Sequence, residues 1–194
     1  MNVERPAPRQ PMPPSAKRVF RGELFDVYQW EQELFDGSTA TFERLRRADT
    51  VIVFPVTPEG KIVVLEQEQP GRGPFTSVPG GRIDPGESVL EASRRELREE
   101  SGYEAEELTL WFALQPASKI DWAVFAIIAR GCKKVGESTP DAGERLKVRE
   151  VAFDEFLNIA SDESFYDREV VTRVLRAQLD PQEMSKLREL FGVQ

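Results

Sequence analysis

Two nearly continuous apolar runs restrict the fold of this chain most strongly. Residues 51–56 read VIVFPV and residues 62–65 read IVVL, and a short segment containing a proline and a glycine separates them. Strands that are covered on both faces have such runs, because neither side of the strand meets water. The sequence therefore predicts two buried central strands joined by a turn, and residues 108–114 and 122–129 have the same character.

Alternating and helical patterns flank these runs. Residues 25–35 alternate apolar and polar side chains, and Asp36-Gly37 supplies a turn before residues 39–45, which predicts a β-hairpin. Beyond residue 150 the apolar spacing becomes helical over residues 153–159, 170–179 and 184–191. Because strands and helices interleave, we predict an α+β (mixed α/β) fold.

A proline-rich start sets the predicted domain boundaries. Five of the first fourteen residues are prolines, so residues 1–16 are expected to form an extended or disordered tail. We expect residues 17–48 to form a strand-rich subdomain and residues 49–194 to form the main domain. A chain of 194 residues with 40% hydrophobic content can bury a substantial core.

The chain contains no histidine, which excludes whole reaction classes. It cannot supply a Ser-His-Asp or Cys-His nucleophile system or a histidine-ligated zinc site. The formal net charge of −8 disfavours nucleic acid and anionic membranes as partners. An anionic substrate would need a local arginine cluster or a hard cation such as Mg²⁺ or Mn²⁺. The single cysteine and the lack of a membrane-length apolar run predict a soluble, cytoplasmic protein.

The segment over residues 80–103 (GGRIDPGESVLEASRRELREESGY) carries the candidate chemistry. Ser88 and Glu91 form a capping-box pattern and Gly102 is a C-cap signal, which predicts a helix over residues 89–101. Its inward face is predicted to hold Leu90, Ser93, Leu97 and Ser101. On the adjacent arc lie three carboxylates, Glu96, Glu99 and Glu100, and like charges at this spacing destabilise an isolated helix. A divalent cation would reverse that effect, whereas the alternative is a solvated acidic face partnered by neighbouring arginines.

The same segment resembles the box of the Nudix hydrolases. The match consists of Gly81, then Glu87 six positions later, then the run over residues 95–103 (RELREESGY), all at fixed spacing in a loop-helix-loop context. The resemblance covers roughly residues 48–179. It implies an α/β/α sandwich with an N-terminal β-hairpin subdomain, and hydrolysis of the pyrophosphate bond in a nucleoside diphosphate linked to another moiety.

The resemblance also implies roles for individual residues. The Mg²⁺ ligands would be Glu96, Glu99 and Glu100, joined by the backbone carbonyl of Gly80 or Gly81, with Mn²⁺ as a substitute. Glu87 and Arg95 would form a structural ion pair that ties the loop to the helix. The cation would assist in-line attack of water on phosphorus while a carboxylate takes the proton.

Outside the box, the chain is similar to the ADP-ribose pyrophosphatases and related nucleotide-sugar hydrolases. This similarity implies cleavage of ADP-ribose to AMP and ribose 5-phosphate, with Glu144 as the general base and Glu99 as the competing candidate. It also implies a homodimer, because the front hairpin carries more apolar surface than a two-stranded ribbon buries alone. The hairpin residues concerned are Phe25, Val27, Trp30 and Phe35.

Two departures from that branch concern the substrate. Gln69 stands where an arginine near the diphosphate is expected, and Ser77 stands where a glutamate is expected. The candidate substrate contacts are Arg46, Arg47, Gln69, Arg72 and Asp121. The alternatives are a Nudix pyrophosphatase for another nucleotide sugar or dinucleotide, and a catalytically silent nucleotide-binding module, because fold alone does not establish activity.

Overall fold

The predicted strands and helices are present within a larger set of elements. The computed structural model describes residues 3–140 and 143–193. In this part of the chain the strands are β1 (Lys17–Arg21), β2 (Asp26–Glu33), β3 (Thr39–Arg46), β4 (Thr50–Val56), β5 (Ile62–Gln69), β6 (Arg72–Ser77), β7 (Gly80–Arg82), β8 (Tyr103–Glu104), β9 (Glu107–Leu114), β10 (Ile120–Asp121), β11 (Val124–Arg130), β12 (Lys133–Lys134) and β13 (Arg145–Val151). The helices are α1 (Val89–Ser101), α2 (Phe153–Ser161), α3 (Arg168–Leu179) and α4 (Pro181–Phe191).

A seven-stranded mixed sheet forms the centre of the molecule. Its main path runs β13-β5-β4-β11-β9, while β6 pairs with β5 and β7 pairs with β4. Alternate residues of β4 point to opposite faces, because side chains alternate along a strand. Ile52 and Phe54 belong to one apolar cluster, and Val51 and Val53 belong to the other. The apolar run over residues 51–56 is thus confirmed as a strand buried on both faces.

Helices cover both faces of this sheet. The cluster of Ile52 and Phe54 includes residues of α2, α3 and α4, whereas the cluster of Val51 and Val53 includes Ala92 and Leu97 of α1. This arrangement confirms the predicted α/β/α sandwich in the mixed α+β class. None of the helices in residues 3–140 and 143–193 is long and apolar enough to cross a membrane.

The α1 helix begins and ends as its sequence predicts. The Ser88 Oγ accepts a hydrogen bond from the Glu91 backbone N–H, and the Glu91 carboxylate accepts one from the Ser88 N–H at 2.8 Å. Gly102 ends the helix in the left-handed region with φ 75°, which glycine adopts without a Cβ penalty. Capping at both ends therefore fixes the helix at residues 89–101.

The buried face of α1 is wider than the predicted one, because Ser93, Leu97 and Ser101 are buried as expected and two carboxylates are buried beside them. Leu90 is only half-buried, whereas Glu96 and Glu100 are each 8% exposed. The helix packs against the glycines of β7, and a Cβ at Gly81 would overlap the Glu96 carboxylate. Because Gly81 has no side chain, it leaves room for the Glu96 carboxylate, whereas the missing side chain of Gly80 allows close approach to the β4 backbone.

A second sheet precedes the central one along the chain. β2 and β3 pair antiparallel from Asp26↔Arg46 to Glu33↔Thr39, which confirms the predicted hairpin. β1 extends it on one side, and β10 joins β3 in parallel on the other. Of the four apolar residues predicted to need cover, only Phe35 is fully exposed, whereas the other three are half-buried.

The proline-rich tail contacts the rest of the chain. The sequence predicts an extended or disordered tail outside the fold. Arg5 donates two hydrogen bonds to Asp49, at 2.6 and 3.0 Å, and one to Asp121 at 2.9 Å. Val3 packs against the cluster that contains α1. Residues 3–16 hold no helix or strand, so side-chain contacts fix the start of this segment. The first two residues of the predicted tail, and residue 194 of the predicted main domain, lie outside the described residues.

Candidate active site

A continuous cleft runs between α1, β7 and the segments that precede β13 and α3. Two adjoining cavities of about 440 and 460 Å³ make up this cleft. They share five lining residues, Gly80, Gly81, Arg82, Glu100 and Glu144. One end contains the carboxylates of α1, and the other contains aromatic rings and arginines. We call these the carboxylate end and the aromatic end.

Glu100 is the most perturbed acid of the carboxylate end. Its Oε2 accepts a hydrogen bond from the Gly80 backbone N–H at 2.9 Å. Burial raises the pKa of Glu100 to about 8, and the nearby negative charges of Glu96, Glu144 and Asp167 raise it further against the Gly80 hydrogen bond. Burial likewise raises the pKa of Glu96, although Arg95 opposes that shift. The carboxylate end is therefore short of positive charge.

Arg95 organises the loop before α1. Its Nε and Nη2 donate to the two oxygens of Glu87, each at 2.9 Å, so the predicted pair comes together in bidentate geometry. Nη2 also donates to the Arg82 carbonyl at 2.8 Å. Nη1 donates to Glu96 at 2.8 Å and to Glu99 at 3.2 Å. Arg95 thus ties loop to helix and also balances two of the predicted metal ligands.

The predicted metal ligands lie at the same end of the cleft but do not form a ready cage. Within residues 3–140 and 143–193, no group of three acidic or thiol side chains converges closely enough to hold a metal ion. Arg95 engages Glu96 and Glu99, whereas Glu100 turns toward the Gly80 N–H. The side chains of Glu96 and Glu99 would have to rotate away from Arg95 to bring all three carboxylates together.

Two of the candidate substrate contacts line the cleft. Arg47 places its guanidinium over the Trp122 ring, 4.6 Å from the ring centroid, and burial lowers the pKa of Arg47. Its buried Nε has no hydrogen-bond partner among the described residues. Gln69 donates from Nε2 to Glu144 Oε1 at 3.0 Å, so it orients the candidate base.

Two others, Arg46 and Asp121, lie outside the cleft. Arg46 Nε donates to Asp121 Oδ2 at 2.9 Å, and the Arg46 guanidinium lies over the Tyr28 ring at 4.7 Å. Asp121 also accepts from Arg5. These contacts hold the N-terminal sheet to the tail, so within one chain the structure does not bring either residue to the site.

Arg72, the remaining candidate substrate contact, lies at the start of a strand. It begins β6 directly after Gly71, which turns the chain with φ 78°. Its guanidinium lies over the rings of Phe75 and Tyr166, at 3.9 and 4.5 Å from their centroids. Arg72 therefore lines a neighbouring cavity together with Gln69.

The aromatic end contains residues that sequence reasoning missed. They are Gln67, Phe75, Trp122, Tyr166, Asp167 and Arg168. The segment between α2 and α3 folds back on β6, where the Tyr166 N–H donates to the Thr76 carbonyl at 2.9 Å. The sequence around Asp167 predicted only the start of a helix, so no sequence signal placed this residue in the cleft.

The fold and the site together define the class of protein. The family model described as NUDIX domain matches residues 46–174, which is more than half of the chain. The chain therefore belongs to the Nudix hydrolase family, as the resemblance of its glutamate-rich helix implied.

Particular relatives narrow the comparison. The chain is 30% identical over 167 residues to "Methanol dehydrogenase activator" from Bacillus methanolicus, covering 84% of this chain and 90% of that protein. It is 28% identical over 166 residues to "ADP-ribose pyrophosphatase" from Bacillus subtilis (strain 168), with the same shares. The structure titled "Crystal structure of ADP compounds hydrolase" matches with a TM-score of 0.69 at 25% identity, over 91% of this chain and 98% of that one.

Proposed function

We propose that this Nudix protein is a Mg²⁺-dependent pyrophosphatase that cleaves a nucleoside diphosphate linked to a second moiety. ADP-ribose, cleaved to AMP and ribose 5-phosphate, is the leading substrate. The observation that carries the proposal is the continuous cleft, in which carboxylates at one end adjoin arginines at the other. A diphosphate between two organic groups needs both kinds of residue within one cleft.

The arginines of the cleft favour an anionic ligand. Arg47, Arg82 and Arg168 line it, and none forms an ion pair with another described residue. Arg82 is close enough to lower the pKa of Arg47 in addition to the effect of burial. In a chain with a net charge of −8, unpaired arginines that repel each other favour binding of a phosphate-bearing ligand. They also compensate for the arginine that Gln69 replaces.

The donor set at the carboxylate end fits a hard divalent cation. Glu96, Glu99 and Glu100, with the Gly80 carbonyl, would hold it through oxygen atoms alone, as Mg²⁺ prefers. The cation would take over from Arg95 as counter-charge and would favour the ionised form of Glu100. When bound, it neutralises the diphosphate and activates water for attack on phosphorus.

The remaining chemistry belongs to residues of the chain. Glu144 stands at the junction of the two cavities and is oriented by Gln69, so it can accept the proton of the attacking water. Glu99, with a side chain that is 48% exposed, is the competing acceptor. Arg47 and Arg82 would hold the diphosphate while the bond to phosphorus forms.

Names of relatives support the choice of an ADP derivative. One is called an ADP-ribose pyrophosphatase, and two matches are called ADP compounds hydrolase. Of these, the relative named ADP compounds hydrolase NudE is 34% identical to this chain and covers 49% of it. We therefore place ADP-ribose ahead of other nucleotide sugars and of dinucleotides.

A substrate panel tests the proposal. ADP-ribose, other nucleoside diphosphate sugars and a dinucleotide are incubated with protein and Mg²⁺, and nucleoside monophosphate release is measured by chromatography. We expect the highest kcat/KM with ADP-ribose and almost none after Glu100→Gln. Glu104→Gln, an exposed residue of β8 that lines neither cavity of the cleft, is the matched control and should retain activity. Tight binding of the panel without any hydrolysis would instead indicate a silent binding module.

A further inference from the structure

Asp167 is a buried acid whose carboxylate has few partners in the fold. Asp167 is 5% exposed and occupies the N-cap position of α3. An N-cap aspartate normally accepts hydrogen bonds from the first N–H groups of its helix, but Asp167 makes no capping hydrogen bond. Among the described residues, the only hydrogen bond to the Asp167 side chain comes from the Val78 N–H to Oδ2 at 3.5 Å, which is long for such a bond.

Keeping this acid unpaired costs the protein stability. Burial raises the pKa of Asp167 to about 7, the charge of Glu169 adds to the shift, and the Val78 hydrogen bond only partly opposes it. Within the described residues Asp167 forms no ion pair, and its Oδ1 accepts no hydrogen bond. Buried acids without partners are found where a ligand completes them, because their burial does not stabilise the fold.

The polar neighbours of Asp167 on the cleft floor are already paired with each other. Gln67 and Ser77, which are 6% and 2% exposed, satisfy each other through a hydrogen bond of 2.6 Å from Gln67 Nε2 to Ser77 Oγ. Asp167 lines the same cavity as these two residues and as the rings of Phe75 and Trp122. An acid beside aromatic rings suits a flat heteroaromatic group that presents N–H donors at its edge.

We propose that Asp167 determines base specificity by accepting a hydrogen bond from the exocyclic amino group of the substrate's purine. This inference rests on the proposed function for the presence of a nucleotide in the cleft. Asp167 lines only the aromatic end, whereas the diphosphate would lie beside Arg47 and Arg82, and Arg82 also lines the carboxylate end. The acid therefore acts in substrate recognition and takes no part in proton transfer at phosphorus.

Product binding tests this proposal without turnover. Dissociation constants of the intact wild-type protein and Asp167→Ala are measured by calorimetry for AMP and for purine riboside 5′-monophosphate, which lacks only the amino group. We expect the wild type to bind AMP about 10- to 100-fold more tightly, as for a hydrogen bond to a charged group. In Asp167→Ala this ratio should fall to about 1. GMP and IMP form a second pair, which reports an amino group on the other side of the ring.

The control and the contrary outcomes separate this proposal from the proposed function. Glu163→Gln, an exposed residue of the same segment that lines neither cavity of the cleft, should leave the binding ratio unchanged. The inference is overturned if both amino pairs show ratios near 1 in the wild type, or if Asp167→Ala weakens only ribose 5-phosphate, which would assign the acid to the sugar. Asp167→Asn is the second variant in case the alanine variant does not fold. An Asp167-dependent ratio without hydrolysis of ADP-ribose would refute only the proposed function.

Discussion

Replacing Asp167 by asparagine should stabilise the protein at alkaline pH. Asparagine has the same shape, and its carbonyl oxygen can keep the hydrogen bond from the Val78 N–H. It cannot ionise, so the variant never carries a buried negative charge. The wild type does carry this charge once the pH exceeds the pKa of Asp167.

The shift in pKa sets the size and the sign of the effect. Burial raises the pKa of Asp167 from 3.8 to about 7. Each unit corresponds to about 1.36 kcal/mol, so the ionised acid costs at most about 4 kcal/mol. Because the folded-state pKa is raised, the contribution of this group to stability is fully present below about pH 4. It is lost as the pH rises to about 7. The variant should therefore match the wild type at pH 4 and exceed it above pH 7.

Urea denaturation monitored by circular dichroism measures this difference. Between pH 5 and 8.5 the advantage of Asp167→Asn in free energy of unfolding should grow by at most about 3 kcal/mol. Asp162→Asn is the control, because hydrogen bonds from Ser164 lower the pKa of that exposed acid and its replacement should reduce stability slightly. A pH-independent difference between wild type and Asp167→Asn would show that the acid is not held in a poorly solvated position.

Four further predictions concern activity and assembly. A chelator should abolish hydrolysis, Mg²⁺ or Mn²⁺ should restore it, and Glu100→Gln should fold but lose turnover by orders of magnitude; undiminished turnover in this variant would exclude the metal role of Glu100. In a kinetic comparison of Glu144→Gln with Glu99→Gln, the variant that removes the general base should have a kcat lower by about 10²- to 10⁴-fold with little change in affinity. A near wild-type rate for Glu144→Gln would assign the base to Glu99 of α1. Arg47→Ala should raise KM more than it lowers kcat in steady-state assays, since Arg47 binds the diphosphate in ground and transition states alike; an unchanged KM would contradict this. Light scattering should give twice the chain mass of 22.0 kDa, because a second copy is expected to cover the exposed Phe35 and its neighbours, and a monomer at micromolar concentration would refute the dimer.

Local signals explain which parts of the fold the sequence predicted. The bounds of α1 follow from Ser88, Glu91 and Gly102, each acting within a few residues of the helix end. The hairpin follows from alternation on both sides of Asp36-Gly37. The sequence did not predict β13, because charged residues interrupt its apolar positions and its pairing partner β5 lies far back in the chain.

Long-range contacts explain what the sequence did not predict at the site. Arg46 and Asp121 were both expected to contact substrate, but they pair with each other across 75 positions. The position of Asp167 in the cleft depends on how the segment before α3 folds back onto β6. Sequence spacing identified the residues of the box, whereas the aromatic end is assembled from distant segments and has no motif.

The double-sided packing of β4 also determines how the molecule comes apart. Ile52 and Phe54 belong to the cluster with α2–α4, and Val51 and Val53 belong to the cluster with α1. If the helices on either face separated from the sheet, β4 residues of that cluster would be exposed and the strand shared with the other cluster would be weakened. The two helical layers should therefore unfold together in a single cooperative transition. The N-terminal sheet is joined differently, with β10 adding only the pairs Ile120↔Leu45 and Asp121↔Arg46 to β3. Its amides should therefore exchange with solvent through partial opening, well before those of β4.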